Sequence, residues 1–275
     1  MMTQKEIKKI KVGILGCTGR MGKIIAQQAS ITSEFELIGG TVRPGSPHEG
    51  AALNRICQIN AEKDLFITSN VAEIAGLADV LIDFTHPELL AKHLEIAVKI
   101  KTPMVIGTTG LTLDHHKILM QVSHQIPIVS APNTSIGVAL LNVAVDFMAR
   151  MLDSSYDIEI FEMHHRGKRD APSGTALALG RTAASARGQT LKPEACVART
   201  GQRQNGEIGF TVARGGGVYG DVKVMFADNN EMIELSHRAL NRELFAKGAL
   251  KAAQWVSHAT PGLYSMKDVI GLKSL

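Results

Sequence analysis

Aromatic side chains are scarce in this chain, 4% of its residues, which argues against the stacking platforms that bind single-stranded nucleic acid. Cysteine is scarcer still. Cys17, Cys57 and Cys196 share no short spacing, so a CxxC zinc or redox motif is excluded, and an odd, sparse set reads as a reducing compartment. No window approaches the roughly eighteen uninterrupted apolar residues of a membrane span. The longest candidate, Ile136 to Leu152, is broken by Asn142, Asp146 and Arg150. Met1 to Lys11 is charged and has no apolar signal core. Excess charge is also missing: the net value is only +4 and it is dispersed, which suits small anionic ligands rather than nucleic acid. The expectation is a soluble, cytoplasmic protein with no membrane and no nucleic-acid partner.

What is present is an ordinary globular balance, 45% apolar and 20% charged over 275 residues, enough for one large domain or two modest ones. The first half alternates strand and helix patterns. Strands are expected at Lys11 to Leu15, Phe35 to Val42, Leu65 to Thr68, Val80 to Phe84, Pro103 to Gly107 and Ile126 to Ser130. Helices are expected at Met21 to Ser30, Pro87 to Ile100 and Leu113 to Gln125. Such alternation implies a parallel sheet with helices on both faces. After Asn133 the pattern changes: helix from Ile136 to about Leu152, strand from Tyr156 to Met163, and helix from Ser173 to about Arg187. A polar, irregular stretch, 188–205, follows. Three strands, Ile208 to Ala213, Val218 to Ala227 and Met232 to His237, then come without helices between them, with Asp228-Asn229-Asn230-Glu231 as a turn. This half reads as an α+β domain on a mixed or antiparallel sheet. A last helix is expected from about Asn241 to His258, with an irregular end.

Between the first strand and the first helix lies Gly16-Cys17-Thr18-Gly19-Arg20-Met21-Gly22. Glycine there permits a tight turn and lets backbone N–H groups approach a pyrophosphate at a helix N-terminus. The spacing is G-x-x-G-x-x-G rather than G-x-G-x-x-G, a weak motif alone. Its position at the head of a βαβ series favours dinucleotide binding over an empty tight turn. Cys17 reads as a small residue in that turn. The second strand ends Thr41-Val42-Arg43, without the carboxylate that holds the ribose hydroxyls of NAD. Arg43 can instead pair with a 2′-phosphate, so NADPH is expected as the preferred cofactor, with NADH possible. Gly107-Thr108-Thr109-Gly110 and Ala131-Pro132-Asn133-Thr134 end two further strands and should border the nicotinamide half. Asp83-Phe84-Thr85 is similarly placed and less specific.

The densest chemistry is Glu162-Met163-His164-His165-Arg166-Gly167-Lys168-Arg169-Asp170-Ala171-Pro172-Ser173-Gly174-Thr175-Ala176. A lysine four positions after a histidine supplies two candidate proton donors. Pro-Ser-Gly-Thr starts a helix whose N–H groups can receive a carboxylate. Arg166 and Arg169 read as solvated surface charges. Glu162, His164 and His165 are possible metal ligands, but adjacent histidines on an extended chain point to opposite faces, and no metal is expected. Nor does Ser173 sit in a nucleophile elbow. A non-catalytic NAD(P)-sensing protein would need the glycine loop but not this segment. Another two-domain amino-acid dehydrogenase would not need the E-x-H-H run.

Taken in order, the glycine loop, Asp83-Phe84-Thr85, Gly107-Thr108-Thr109-Gly110 and the E-x-H-H-x-x-K-x-D-x-P-S-G-T-A run resemble the 4-hydroxy-tetrahydrodipicolinate reductases, also called dihydrodipicolinate reductases, over essentially the whole length. The resemblance implies an α/β Rossmann-type domain, residues 1–132 and 241–275, and a smaller α+β substrate-binding and tetramerisation domain, residues 133–240, with a mixed sheet. It implies reduction of a cyclic dicarboxylate in the diaminopimelate route to lysine, by a homotetramer. Gly16, Cys17, Thr18, Gly19, Arg20, Met21, Arg43, Gly107, Thr108, Thr109, Ala131, Pro132, Asn133 and Thr134 would line the nicotinamide cofactor. His164 would be the catalytic proton donor or acceptor and Lys168 the companion donor, while His165, Gly174 and Thr175 would bind the substrate carboxylates. Several relatives have Glu where this chain has Val42, and many have His where it has Val222, after Gly220-Asp221.

Overall fold

The computed structural model describes residues 8–60, 64–191 and 201–272. Its elements in chain order are β1 (Ile10–Leu15), α1 (Arg20–Ile31), β2 (Phe35–Thr41), α2 (Leu53–Cys57), β3 (Ile67–Thr68), α3 (Val71–Leu77), β4 (Val80–Asp83), α4 (Leu90–Ile100), β5 (Met104–Ile106), α5 (Leu113–Ser123) and β6 (Pro127–Ser130). Then come α6 (Ile136–Met151), β7 (Asp157–His164), α7 (Gly174–Ala186), β8 (Ile208–Arg214), β9 (Gly220–Ala227) and β10 (Met232–Ala239). The chain closes with α8 (Glu243–Val256), β11 (Gly262–Tyr264) and α9 (Met266–Val269). Two compact units result, one of residues up to Ser135 together with Glu243–Leu272, the other Ile136–Arg242. No helix among the described residues is long and apolar enough to cross a membrane.

The first unit is built on a seven-stranded sheet in the order β11-β6-β5-β4-β1-β2-β3, each neighbouring pair parallel. Central parallel strands are covered on both faces and therefore read as continuous apolar runs; Val80, Leu81 and Ile82 of β4 are fully buried. From β1 the chain moves outward to β2 and β3, then crosses back to β4 on the other side of β1. Sheets of this kind open a crevice beyond the strand carboxyl ends at that reversal. The turns after β1, β2, β4, β5 and β6 all lie along that edge of the sheet.

Helix α8 packs on this unit through its buried face, Ala246, Ala249, Leu250, Ala252, Ala253 and Val256, and is tied to the turn after β6 by a hydrogen bond. Thr134 Oγ1 donates to the carbonyl of Phe245 at 2.7 Å. Gly248 lets α8 come close, since a Cβ there would stand 1.7 Å from the carbonyl oxygen of Thr134.

The second unit is a four-stranded sheet in the order β10-β9-β7-β8, with β7–β8 parallel and the other pairs antiparallel. Val145 and Ala149 of α6 and Leu179 and Ala183 of α7, each pair four apart, pack on Ile158, Ile160, Val224 and Phe226 of the sheet. Both expected architectures, the Rossmann-type sheet and the smaller mixed sheet, are therefore present.

Several local expectations need correction. The chain after His258 is not irregular: β11 adds a parallel edge strand to β6, and Tyr264 meets Trp255 edge-on at 4.7 Å between ring centroids. Three residues are too few to show a period. The helix expected from Pro87 begins instead as a 3-10 turn, Pro87–Leu89, before α4. The short helices α2 and α3 were not anticipated; α3 is started by Asn70, whose side chain accepts from the N–H of Ala72. Residues 192–200 of the stretch expected to be irregular lie outside the described residues.

Candidate active site

The glycine loop makes the turn from β1 into α1. Gly16 takes a left-handed φ of +76°, a conformation a side chain disfavours. The N–H groups of Gly16 and Cys17 both donate to the carbonyl of Thr41 at 3.0 Å, tying the loop to the end of β2. Gly19 is the N-cap of α1 and brings no side-chain cap. The first-turn N–H groups of α1 thus keep the partial positive charge that suits a phosphate. The cradle fits a dinucleotide. Cys17 lies fully buried beneath it, and burial, reinforced by the nearby Cys57, pushes its thiol up to about 12. A thiol so placed packs rather than reacts.

At the end of β2, Val42 is buried while Arg43 projects into solvent. In the later turns Thr108 and Ala131 are buried and Thr109 and Pro132 exposed. The Thr134 side chain is committed to Phe245, and Asn133 Oδ1 accepts from the N–H of Ser135 at 2.9 Å. All the residues named for the cofactor from sequence therefore stand along one edge of the first unit's sheet, although Thr134 has its hydroxyl engaged in the fold.

In the second unit, β7 alternates inward and outward, and Ile158, Ile160 and Glu162 are the buried set. A carboxylate in a core position is costly unless its lone pairs are satisfied. Glu162 is fully buried and satisfied on both oxygens. Oε1 accepts from Arg214 Nη2 at 2.8 Å and from the backbone N–H of Ser173 at 3.0 Å. Oε2 accepts from Arg214 Nη1 at 3.0 Å and makes a short bond with His164 Nδ1. Burial would raise this carboxyl, but the bonds from His164, Arg214 and Ser173 outweigh it and hold the group at about 2. Glu162, weighed as a metal ligand from sequence, is instead the anchor of His164.

An ionised carboxylate has no proton to give, so Nδ1 of His164 carries the hydrogen and Nε2 is left for chemistry. Gly220 borders that nitrogen: a Cβ there would sit 3.1 Å from Nε2. The segment is zipped to β8 and its following turn, with Gly215 N–H donating to His164 O at 3.0 Å and Arg166 N–H to Gly216 O at 3.2 Å. Lys168 N–H donates to His165 O at 3.0 Å, closing a turn, and its Nζ pairs with Asp170 Oδ1 at 2.9 Å.

Ser173 caps α7, its Oγ accepting from the N–H of Ala176 at 3.2 Å. Gly174 is exposed, and a Cβ there would meet nothing within 4 Å. The positive end of α7 is thus open to an approaching carboxylate. Sequence reasoning named His164, His165, Lys168, Gly174 and Thr175. It missed the role of Glu162, for which the i, i+2 spacing to His164 was an available signal, and missed Arg214, for which there was none.

A Rossmann-type sheet with phosphate-shaped strand ends, and a separate mixed-sheet unit holding an anchored histidine beside an open helix N-terminus, define a two-unit oxidoreductase. The family model for the dihydrodipicolinate reductase N-terminus matches residues 10–134, and that for its C-terminus matches residues 137–270. The chain belongs to the dihydrodipicolinate reductase family. It is 45% identical over 267 residues to the 4-hydroxy-tetrahydrodipicolinate reductase of Zymomonas mobilis, covering 96% of this chain and 98% of that one. It is 46% identical over 263 residues to the enzyme of the same name from Rubrobacter xylanophilus, covering 95% and 98%. Among solved structures, dipicolinate-bound dihydrodipicolinate reductase from Paenisporosarcina sp. TG-14 shares the fold with a TM-score of 0.74 at 23% identity, covering 96% of this chain and 100% of that one. An amine dehydrogenase from Mycobacterium smegmatis shares it with a TM-score of 0.59 at 11% identity, covering 94% and 95%.

Proposed function

We propose that this chain reduces 4-hydroxy-tetrahydrodipicolinate to tetrahydrodipicolinate in the diaminopimelate route to lysine, using NADPH in preference to NADH. The observation that carries the reading is Glu162: one buried carboxylate holds both His164 Nδ1 and the N–H of Ser173. It thereby joins a proton-transfer group to the start of an anion-binding helix.

When bound, the reduced nicotinamide supplies a hydride to C4 of the substrate ring. The protein's own part is positioning and proton supply. The substrate carboxylates are received by the first turn of α7 at Gly174 and Thr175, with His165. The 4-hydroxyl leaves as water, and the electron-rich ring that follows reduction takes a proton from the His164–Lys168 pair. The ammonium of Lys168 has protons to donate, and Asp170 beside it keeps the charge compensated. Cofactor preference follows from the end of β2. Val42 offers no carboxylate to ribose hydroxyls, and the solvent-facing guanidinium of Arg43 can take a 2′-phosphate in its fork. The second unit, 136–242, is read as the substrate and assembly unit of a homotetramer, the first as the cofactor unit.

The test is oxidation of NADPH and of NADH by the purified chain, with substrate freshly condensed from aspartate semialdehyde and pyruvate. Oxidation faster with NADPH is expected. No oxidation with either cofactor overturns the reading.

A further inference from the structure

Asp83, the last residue of β4, is fully buried, and its partners are polar groups of the turns after β4 and β5 and of α4. Oδ1 accepts from the N–H of Thr85 at 2.9 Å, from Thr85 Oγ1 at 2.6 Å and from Thr108 Oγ1 at 3.3 Å. Oδ2 accepts from Nδ1 of His93 at 2.7 Å, a side chain on α4 that is itself buried. The carbonyl of Asp83 takes the N–H of Gly107 at 2.9 Å. One residue therefore ties together the turn after β4 and the turn after β5.

These turns reach the rest of the cofactor edge by direct contact. A Cβ on Gly107 would lie 2.1 Å from the ring of Phe84, and one on Gly16 would lie 2.9 Å from Cγ2 of Thr85. Phe84 thus packs flush on the turn after β5, and Thr85 backs the glycine loop. Packing this close transmits any displacement of Thr85 to both neighbours. A buried polar pair is weak grounds for stability, because apolar residues of similar volume serve as well. What the carboxylate adds here is directional: it fixes two hydroxyls and one N–H in turns that would otherwise be loosely held.

We propose that Asp83 and His93 form a positioning pair for the cofactor site, with His93 orienting the carboxylate and Asp83 clamping Thr85 and Thr108. Neither residue touches cofactor; they act through Thr85, Phe84, Thr108 and Gly16. The inference rests on the reading of the first unit as the NADPH-binding unit. Asparagine in place of His93 retains a donor near the position of Nδ1, whereas leucine fills the space and removes it.

The experiment measures NADPH dissociation constants by nicotinamide fluorescence on the folded full chain, for the unaltered protein, His93→Leu and His93→Asn. His93→Leu should weaken NADPH binding by about tenfold, the effect of leaving one buried charge-assisted bond unmade, while His93→Asn stays within about twofold. Binding of pyridine-2,6-dicarboxylate should be unchanged in both variants. Equal NADPH affinity in all three proteins, with only the thermal midpoint lowered, overturns the clamp. Should His93→Leu not fold, hydrogen exchange on the unaltered chain decides. NADPH should slow the Thr85 and Gly107 amides together, and no slowing at Thr85 overturns the clamp. Failure of the unaltered chain to bind NADPH overturns the cofactor reading as well; binding that the variants share overturns the clamp alone.

Discussion

Glu162 and His164 lie two residues apart on one face of β7, and the buried carboxylate of the first takes the Nδ1 hydrogen of the second. A strand's period of two makes that meeting automatic. The pairing of β7 with β8 then sets His164 opposite Arg214, whose guanidinium grips the same carboxylate on both oxygens.

Acid should act on this cluster in a defined window. The Glu162 carboxyl is held at about 2 against an ordinary 4.5. Its folded value is depressed, so its contribution is present above 4.5 and is lost as pH falls from 4.5 towards 2. The size is on the order of 3 kcal/mol. Denaturant unfolding of the native chain and of Glu162→Gln, at neutral pH and inside that window, should show the stability gap between them narrowing in acid. A gap that does not change with pH would contradict the assignment.

Lys168→Ala should lower kcat by about a hundredfold or more, the usual worth of a positioned proton donor. NADPH affinity should stay as it is, because Lys168 belongs to the second unit and the glycine loop to the first. Steady-state kinetics with a separate binding titration check both halves. An unchanged kcat removes Lys168 from the mechanism.

Gly220→Ala places a methyl group 3.1 Å from His164 Nε2. The ring must give by a few tenths of an ångström, and if His164 Nε2 handles the proton, kcat should fall about tenfold or more with little change in NADPH binding. A variant with native kcat would show that Nε2 is not the atom that works.

Arg43→Ala should raise KM for NADPH about tenfold or more, the cost of losing a charged hydrogen bond, and leave KM for NADH unaltered. Equal efficiency of the unaltered chain with both cofactors would contradict the reading of Val42 and Arg43.

How much of this was legible in the sequence follows from the range of each interaction. The glycine loop, the strand-end turns and the capped start of α7 are local, written within a few residues of themselves, and they were readable as turns and as a helix start. The parallel sheet was readable because strand and helix patterns alternate through the first half, with apolar stretches such as Val80, Leu81 and Ile82 of β4. β11 was not, since three residues at the sheet edge carry no period. Glu162 was visible but given no role: it was weighed as a metal ligand and set aside, and the strand alternation that separated the two histidines was not carried on to pair Glu162 with His164. Arg214 and His93 could not be found at all. Arg214 is brought to Glu162 by strand pairing across 52 positions, and His93 sits on a helix where a lone histidine reads as surface until its burial is seen.

The most direct test of the central claim follows the hydride itself. Turnover with NADPH deuterated at C4 on the transferred face should give tetrahydrodipicolinate with one deuterium at ring carbon 4 and no 4-hydroxyl. Consumption of substrate with no label at that carbon, or no consumption at all, would contradict it.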